Sequence, residues 1–547
     1  MALRLGEILV EKKMITQDKL KEAIAEQKRT GEILGQVLIR MGAVSESDML
    51  HVLAEQQGIP FVDLRKTKID ESVIKSVPPK FAWHYKIMPI RMEGNILTIA
   101  ISNPFDMWPI DDLETHLGYR VDKVLASSSD IMEMVKKYYG VGADTIERIM
   151  AEEPREAEKK AAAADEKVED LEKMAGDASV VKLVNQIMQQ AIKDRATDIH
   201  IERFRNDVTL RYRIDGVLYD IQMSENIRYL YPAIVSRIKI MSGLNIIERR
   251  LPQDGRSKVK IGENEYDMRV SIIPTIYGES IVLRILALKM LFSMADLGMS
   301  KRDSQMLEAL IKKPHGIIFV TGPTGSGKST TLYACLSKLN TRDRNIITIE
   351  DPVEYELKGI SQIQVSPKVG LTFAAALRSS LRHDPDIMMV GEVRDFETAE
   401  IAIQTALTGH LVLSTIHTND AASGITRLLD IGVEPYLAAS SVEAFMAQRL
   451  VRVICEKCKE KVSGKEWRGK GCKACGNTGF VGRTGIYEIL PVNEEIRKLI
   501  SKTVSADEIK EKAVALGMRT LKEDGWEKVN AGITTPEEVL RVTQLEE

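Results

Sequence analysis

The stretch from residue 316 to residue 330 constrains the fold of this chain more than any other. An unbroken apolar run, Gly316-Ile-Ile-Phe-Val-Thr321, is followed at once by Gly322-Pro-Thr-Gly-Ser-Gly-Lys-Ser-Thr330 and then by a helical pattern. The run predicts a buried strand, and the glycines allow a loop whose backbone N–H groups converge on phosphate oxygens at a helix N-terminus. A phosphate-binding loop in this strand–loop–helix context predicts an α/β nucleotide-binding domain.

The loop residues are the predicted nucleotide contacts. Lys328 is expected to neutralise the outer phosphates, and Ser329 offers its hydroxyl to Mg²⁺. The predicted ATP-binding and magnesium-binding residues are Gly322, Pro323, Thr324, Gly325, Ser326, Gly327, Lys328, Ser329 and Thr330.

Three further apolar runs end in polar residues, as expected where a parallel sheet presents the carboxyl ends of its strands to a ligand. They are residues 345–349 before Glu350-Asp-Pro-Val-Glu354, residues 386–390 before Gly391-Glu392, and residues 411–416 before His417-Thr-Asn419. A carboxylate near the γ-phosphate can hold Mg²⁺ or polarise the attacking water, and a histidine can sense that phosphate. Glu350, Glu392 and His417 therefore join Lys328 as candidate catalytic residues, although a histidine at a strand end can also be structural.

Length and composition limit the class of protein. The chain has 547 residues, more than one hydrophobic core accommodates, so several domains are expected. It is 44% hydrophobic and 28% charged, as ordinary globular chains are, and a formal charge of −3 with 5% aromatic residues offers little to a polyanion. No apolar run is long enough to span a bilayer, and the N-terminus lacks the apolar core of a signal peptide. We expect a cytoplasmic protein that does not act on nucleic acid.

Four of the five cysteines form two Cys-x-x-Cys pairs, Cys455 with Cys458 and Cys472 with Cys475. Four thiolates at this spacing can close a tetrahedral site, and Zn²⁺ is the metal that such ligands favour in a reducing cytosol. A site filled by four protein ligands would be structural rather than catalytic. The alternative is a redox-active dithiol pair.

The N-terminus contains two copies of one pattern. The segment from Leu5-Gly6 to Gln27 repeats from Leu34-Gly35 to Gln56, with Thr16 and Ser45 as predicted helix N-caps. Two packed helical hairpins would explain the apolar positions. This arrangement does not explain the repeated Leu-Gly and Gln, which are costly or neutral for packing.

Composition divides the chain into four parts. These are an N-terminal extension at 1–145 (a tandem helical repeat at 1–64 and a small α/β domain at 65–145), a charged linker at 146–177, a second α/β domain at 178–290, and the phosphate-loop domain at 291–547 with its cysteine element at 455–475.

The phosphate loop and the strand ends together resemble a known family. The segments at 322–330, 348–354, 384–394 and 408–419 are similar to the Walker A, Asp box, Walker B and His box of the secretion ATPases (the GspE/PilB family), the motors of type II secretion and type IV pilus assembly. Gly391 departs from the Asp that is usual in a Walker B element. The resemblance implies a multidomain α/β protein in which a PAS-like α/β domain precedes a RecA-like ATPase domain, assembled as a homohexamer.

The resemblance also implies residue roles. Glu392 would act on Mg²⁺ or the attacking water, Glu350 would assist as a carboxylate, and His417 would contact the γ-phosphate region. The segments at 198–202, 211–216 and 251–256 resemble the preceding domain of the family, and Arg211 and Arg213 share one face of a predicted strand there. They would bring positive charge to a phosphate from another domain, or they form a solvent-facing surface.

The N-terminal repeat resembles a domain that binds cyclic di-GMP in some of these ATPases (MshEN). The resemblance assigns ligand contacts to Arg4, Leu5, Gly6, Gln27, Leu34, Gly35 and Gln56. The sequence departs from it at Lys13, where the second copy has Gly42, and at Ile33 in place of a second Arg.

A four-cysteine element and a long N-terminal extension are similar to the assembly and secretion motors rather than to the retraction motors. We therefore expect an ATP-hydrolysing motor for type IV pilus extension, with the type II secretion ATPase as alternative. It would act on an inner-membrane platform protein and reach the membrane only through such partners. A RecA-like nucleic-acid translocase and a non-hydrolysing nucleotide-sensing scaffold are the less favoured alternatives.

Overall fold

Helical and strand periodicities alternate along the whole chain, and the computed structural model assigns bounds to each element. The structure describes residues 5–32, 34–106, 108–152, 175–205, 207–262, 264–287, 293–463 and 466–544. The helices are α1 Leu5–Glu11, α2 Gln17–Thr30, α3 Leu34–Arg40, α4 Glu46–Gln57, α5 Glu71–Ser76, α6 Pro79–Tyr85, α7 Trp108–Leu117, α8 Ser128–Tyr139, α9 Ala143–Glu152, α10 Ala178–Lys193, α11 Ile227–Met241, α12 Lys301–Leu310, α13 Lys328–Leu339, α14 Phe373–Ser380, α15 Phe396–Leu407, α16 Ala421–Asp430, α17 Pro435–Ser441, α18 Glu494–Ser501, α19 Ala506–Ala515, α20 Leu521–Asn530 and α21 Pro536–Thr543.

The strands alternate with these helices. They are β1 Met88–Glu93, β2 Ile96–Ile101, β3 Arg120–Leu125, β4 Ala196–Arg203, β5 Val208–Ile214, β6 Val217–Ile221, β7 Gln253–Ile261, β8 Asn264–Thr275, β9 Gly278–Ala287, β10 Gly316–Thr321, β11 Ile346–Glu350, β12 Ser361–Gln364, β13 Ile387–Val390, β14 Leu411–Ile416, β15 Val442–Ile454, β16 Lys459–Ser463, β17 Glu466–Gly469 and β18 Phe480–Pro491. The chain forms two compact units, residues 1–285 and residues 286–547.

The first unit begins with the two predicted helix pairs, α1 with α2 and α3 with α4. Thr16 and Ser45 are N-caps, since the side chain of Thr16 accepts a hydrogen bond from the N–H of Lys19 and that of Ser45 accepts one from the N–H of Asp48. After the repeat, β1, β2 and β3 form a three-stranded sheet. Its core, which includes Leu97 and Ile99, is closed by α5 to α8.

Helix α9 falls where the sequence predicted the start of a solvated linker. Ile146 is fully buried in a cluster with side chains of α10, and Thr145 Oγ1 donates to Gln186 Oε1 at 3.1 Å. Glu147 Oε2 accepts from the backbone N–H of Lys80 at 3.0 Å. The part of the predicted linker at 146–152 is thus a packed helix, and its part at 153–174 lies outside the described residues.

A six-stranded sheet completes the first unit, in the order β6-β5-β4-β9-β8-β7. Helices α10 and α11 pack on it, because Tyr212 of β5 donates its hydroxyl to the carbonyl of Ile187 and Tyr231 of α11 donates to the carbonyl of Ile201. The opposite face of β4 and β5 carries charged side chains.

The second unit is built on a seven-stranded sheet in the order β12-β11-β13-β14-β10-β15-β18. Strands β10 to β15 run parallel and β18 is antiparallel to β15. Helices bury both faces, so β10, β13 and β14 are buried throughout. The carboxyl ends of the parallel strands therefore meet at one edge.

Within the described part of the chain, no helix is both long enough and apolar enough to cross a membrane.

Candidate active site and metal centre

The phosphate-binding loop joins β10 to α13, as the sequence predicted. Strand β10 lies between β14 and β15 in parallel register, and the loop follows it at residues 322–327. A Cβ added to Gly322, whose φ is +147°, would lie 2.6 Å from the carbonyl oxygen of Gln448. Glycine is required here because any side chain would collide with the neighbouring strand.

Lys328 is the first residue of α13. Its Nζ donates to the carbonyl oxygens of Gly322 at 2.7 Å and Pro323 at 3.1 Å. Burial, and next the charge of Arg449, lower the pKa of Lys328 to about 8, while the carboxylate of Glu392 acts in the opposite direction. A buried cation near a second cation is stabilised by an anionic ligand, which is the role of a phosphate in this loop.

The remaining loop residues differ in exposure. Ser326 is 3% exposed, whereas Pro323, Thr324, Gly325, Ser329 and Thr330 are exposed. Ser329 is exposed at the N-terminus of α13, and its hydroxyl is a hard oxygen donor of the kind that Mg²⁺ prefers.

Glu392 and His417 come together at the carboxyl edge of the sheet. Strands β13 and β14 are parallel neighbours, and Nε2 of His417 lies 3.6 Å from Oε2 of Glu392. The other carboxylate oxygen, Oε1, lies 2.7 Å from Nε of Arg394. Burial, followed by the charge of Lys328, lowers the pKa of His417 from its ordinary value, which favours the neutral imidazole.

Gly391, which departs from the usual Asp, has a steric explanation. A Cβ at this position would lie 3.2 Å from the carbonyl oxygen of Ile349 and 3.5 Å from Cα of Glu350. The backbone of β13 therefore passes too close to β11 for a side chain to fit without displacement.

Glu350 is placed differently from Glu392. It is 5% exposed, and its carboxylate accepts hydrogen bonds from Tyr333 Oη, from Thr348 Oγ1 at 2.6 Å and from Gln362 Nε2 at 3.0 Å. Because Tyr333 belongs to α13, this carboxylate joins the helix behind the phosphate loop to β11.

Two residues that sequence reasoning missed form the floor of the phosphate loop. Gln448 and Arg449, on β15, are 1% and 4% exposed. Gln448 Oε1 accepts from Thr331 Oγ1 at 2.7 Å, and a Cβ on Gly327 would lie 2.8 Å from Gln448 Nε2. The sequence signal is weak: two adjacent polar residues in a strand that also contains Glu443 and Arg452.

The four paired cysteines converge in the second unit. Their Sγ atoms all lie within 4.8 Å of one another, with Cys455 to Cys472 at 3.8 Å, Cys472 to Cys475 at 3.8 Å and Cys458 to Cys475 at 3.9 Å. Sulfurs of a tetrahedral zinc site with Zn–S of about 2.3 Å are about 3.8 Å apart. The cluster therefore has the dimensions of a Cys₄ zinc site.

One thiol of the cluster is already polarised. Burial would raise the pKa of Cys475, but hydrogen bonds from the N–H groups of Cys472 at 3.1 Å and Gly479 at 3.3 Å lower it to about 7. These donors are the polypeptide contacts expected around a metal-bound thiolate. The fifth cysteine, Cys335, is buried behind the phosphate loop, and burial raises the pKa of its thiol to about 12.

In the first unit, Arg211 and Arg213 lie on β5 and pair with carboxylates of β4. Arg211 Nη2 contacts Glu202 Oε2, and Arg213 Nε lies 3.7 Å from Asp198 Oδ2. Arg284 of β9 shares Asp198 at 2.8 Å. Both predicted arginines are therefore half-buried members of an ion-pair network on the face opposite the helices.

The helical repeat brings its two Leu-Gly pairs together. A Cβ on Gly35 would lie 3.9 Å from Cδ2 of Leu5, and one on Gly6 would lie 2.6 Å from Cδ1 of Leu20. Gly6 thus permits close packing of α1 on α2. The other predicted ligand residues Leu34, Gln27 and Gln56 are half-buried, and Arg4 lies outside the described residues.

The sequence matches the models of two protein families. A family model described as type II/IV secretion system protein matches residues 173–541, which is most of the chain. The chain belongs to this family. It is therefore a secretion ATPase, and it carries a second match, to the MshEN domain, at residues 57–145. That match covers the small α/β domain and leaves the predicted ligand residues at 4–56 outside it.

Two relatives align with this secretion ATPase from end to end. It is 42% identical over 561 residues to the type IV pilus assembly ATPase PilB of Myxococcus xanthus, covering 99% of each chain. It is 41% identical over 567 residues to the type II secretion system protein E of Xanthomonas campestris, covering 99% of this chain and 98% of that one.

A solved structure shares the fold. The X-ray structure of the Legionella pneumophila ATPase DotB superposes with a TM-score of 0.52 at 22% identity, covering 66% of this chain and 95% of that chain. The likeness shows that the two chains share a mixed α/β fold.

Proposed function

We propose that this secretion ATPase hydrolyses ATP at the carboxyl edge of the seven-stranded sheet, with Lys328, Glu392 and His417 as its catalytic residues. The observation that supports this most is the 3.6 Å distance between Nε2 of His417 and Oε2 of Glu392. The charge of Glu392 also acts on the pKa of Lys328, as does that of Arg449. Three groups of the required chemistry thus share one electrostatic environment.

Each group has a distinct task. Lys328 and the N–H groups of residues 322–330 hold the phosphates, and Ser329 is the magnesium ligand of the chain. Magnesium held there would supply charge neutralisation to the phosphates. Glu392 accepts a proton from the attacking water. Neutral His417 hydrogen-bonds to the γ-phosphate region and is in contact with Glu392, so phosphate release changes the surroundings of the base.

Glu350 assists as the second carboxylate. Its hydrogen bonds to Tyr333, Thr348 and Gln362 set the position of α13 relative to β11, and thereby of Lys328 relative to the strand ends. Its contribution is electrostatic and positional, since the carboxylate is 5% exposed.

We further propose that the protein is a cytoplasmic homohexamer that is peripheral to the inner membrane through its partners. In this assembly Arg211 and Arg213 bring positive charge to bound phosphate. A structural zinc is held by Cys455, Cys458, Cys472 and Cys475. Exchange of an arginine from Glu202 or Asp198 to a phosphate would couple hydrolysis to movement. Arg211→Ala and Arg213→Ala, measured as steady-state ATPase on intact hexamers, test this role, and unchanged turnover would exclude it.

The mechanical output is proposed to be type IV pilus extension through an inner-membrane platform protein, with type II secretion as the alternative. The end-to-end relationship to PilB of Myxococcus xanthus supports the first, and the similar relationship to a type II secretion protein E supports the second. A strain whose chromosomal copy carries Lys328→Ala separates them: loss of surface pili with normal protein export favours extension, and the reverse favours secretion.

Cyclic di-GMP is the proposed regulator, bound where the two Leu-Gly pairs meet. The proximity of Leu5 to Gly35 supports a site to which both copies contribute, and the MshEN match at residues 57–145 supports a cyclic di-GMP-binding domain in this part of the chain. Titration of the full chain with cyclic di-GMP by calorimetry should give heat that Gln27→Ala and Gln56→Ala each reduce. Cyclic di-AMP is the matched control ligand, and no heat at millimolar cyclic di-GMP would contradict the proposal.

A further inference from the structure

Arg449 occupies a position that no motif of the sequence assigns. Strand β15 runs parallel to β10 with Thr321 paired to Ala447, so the next residues of β15 pass directly beside the phosphate loop. Arg449 is 4% exposed there. A Cβ on Gly322 would lie 3.1 Å from its Nη1, which places the guanidinium against the first residue of the loop.

The same guanidinium reaches the segment that carries His417. Nη2 of Arg449 donates to the carbonyl oxygen of Asn419 at 2.6 Å, and Nη1 donates to the carbonyl oxygen of Gln448 at 3.1 Å. One planar group therefore joins the turn after β14 to β15 by hydrogen bonds, and it packs against the first residue of the phosphate loop. A planar fork fixes relative orientation in a way that a single donor does not.

The turn at residues 417–420 is anchored on its other sides as well. The N–H of Thr418 donates to Thr321 Oγ1 at 2.9 Å, Asp420 pairs with Lys510 at 2.9 Å, and the N–H of Ala421 donates to Glu488 Oε1 at 2.9 Å. These anchors fix the two ends of the turn. Asn419, between them, is held by Arg449.

Burying a second cation, Arg449, next to Lys328 costs folding free energy unless that cation contributes to binding the anion. Arg449 is buried and acts on the charge state of Lys328, so an apolar side chain of similar length would be less expensive for folding alone. The guanidinium donates to the carbonyl oxygens of Asn419 in the turn and of Gln448 on its own strand, and it lies against Gly322 of the phosphate loop. Its placement is that of a group that holds these loops in one geometry.

We propose that Arg449 is a positioning residue for ATP hydrolysis: it holds the His417 turn against the phosphate loop, so that the imidazole keeps its distance from the γ-phosphate and Glu392. The inference rests on the role given to His417 under the proposed function. Because Arg449 acts through the turn, its contribution to kcat requires His417 to be present.

A double-mutant cycle on the full chain tests the inference. Arg449→Met should lower kcat about 100-fold, the effect of a misplacement near 1 Å, with KM for MgATP changed less than about threefold. His417→Ala should lower kcat by a similar factor. The double variant should be within about threefold of His417→Ala alone, since the two act as one unit.

Two further variants separate positioning from folding. Arg449→Lys keeps the charge but donates from one point, and it should recover part of the rate, about tenfold above Arg449→Met; it also replaces Arg449→Met in the cycle if that variant does not fold. Arg452→Met is the matched control on the same strand. It loses an ion pair with Glu538 and should lower thermal stability. Any effect that it has on kcat should multiply with that of His417→Ala in the double variant.

Three results would overturn the inference. Rate losses of Arg449→Met and His417→Ala that multiply in the double variant would show that Arg449 acts independently of the turn. A raised KM with unchanged kcat would make it a binding residue. An unchanged kcat in His417→Ala would remove the proposed role of His417 and this inference with it, whereas the first two results leave the proposed function intact.

Discussion

Nε2 of His417 lies 3.6 Å from Oε2 of Glu392, although the two residues follow different strands. The contact arises because β13 and β14 are parallel neighbours that end at the same edge of the sheet. Because of this contact, a change in what His417 binds alters the electrostatic surroundings of Glu392. Release of the phosphate would thereby be felt by the proposed catalytic base.

Removal of the Lys328 amine should weaken nucleotide binding. Lys328→Met loses a charge-assisted contact to phosphate, so MgATP affinity measured with a fluorescent ATP analogue should fall by at least about tenfold. Lys338→Met, on the exposed side of the same helix, is the control and should bind normally. Equal affinities for both variants would contradict the assignment of the loop.

Zinc should be bound at one ion per chain. Metal analysis of the purified protein should find it, and Cys472→Ala should abolish it and destabilise the element formed by β16 and β17, since structural zinc contributes directly to folding. Cys335→Ala removes a cysteine outside the cluster and should retain the metal. Full zinc content in Cys472→Ala would exclude the tetrahedral site.

The ion pairs of Glu538 should make stability depend on pH in acid. Burial would raise the pKa of Glu538, but hydrogen bonds from Arg541 and Arg452 lower it to about 2. A carboxylate whose folded pKa is depressed stabilises the fold above its unfolded pKa and loses that contribution as pH falls through the folded value. Glu538→Gln should therefore cost about 3 kcal/mol at pH 7, because half-buried Arg452 loses its partner.

The measurement is the unfolding free energy of wild type and Glu538→Gln between pH 8 and pH 2. The difference should be constant down to about pH 4.5, the ordinary range of a glutamate, and shrink below it. Glu537→Gln, at its exposed neighbour, is the control. A difference that stays constant to pH 2 would show that the ion pairs are not its cause.

The docking of α9 on the second α/β domain can be tested at Gly140. Its φ is +87°, and an added Cβ would lie 2.6 Å from the carbonyl oxygen of Gln222. Gly118 has φ +73° with nothing within 4 Å, so Gly118→Ala costs only the left-handed strain of about 1 kcal/mol.

Gly140→Ala should cost at least about 2 kcal/mol more than Gly118→Ala, since overpacking adds to the strain. Hydrogen exchange of residues 143–152 should accelerate in Gly140→Ala alone. Equal exchange in both variants would indicate that α9 does not depend on this contact.

Much of the fold was predictable because periodicity and turn chemistry agree locally. Strands β10 and β14 begin and end where the apolar runs predicted, and the helix caps at Thr16 and Ser45 are confirmed. The convergence of Glu392 with His417 follows from a single rule, that parallel strands present their carboxyl ends together.

The rest depends on contacts that a sequence does not display. The packing of α9 was missed because Glu, Lys and Ala dominate around it, and burial of Ile146 is decided by another domain. The repeated glycine was interpreted as a ligand contact, yet Gly6 also has a packing role against Leu20. Arg449 carries no motif, and its role depends on the register of β15 against β10.

Phosphate release by the purified full chain tests the central claim most directly. Glu392→Gln should bind MgATP as wild type does but release phosphate at least about 100-fold more slowly in a single turnover, because it removes the base. Glu397→Gln, an exposed glutamate on the next helix that pairs with Arg378, should release phosphate at the wild-type rate. Equal rates for Glu392→Gln and wild type would contradict the account.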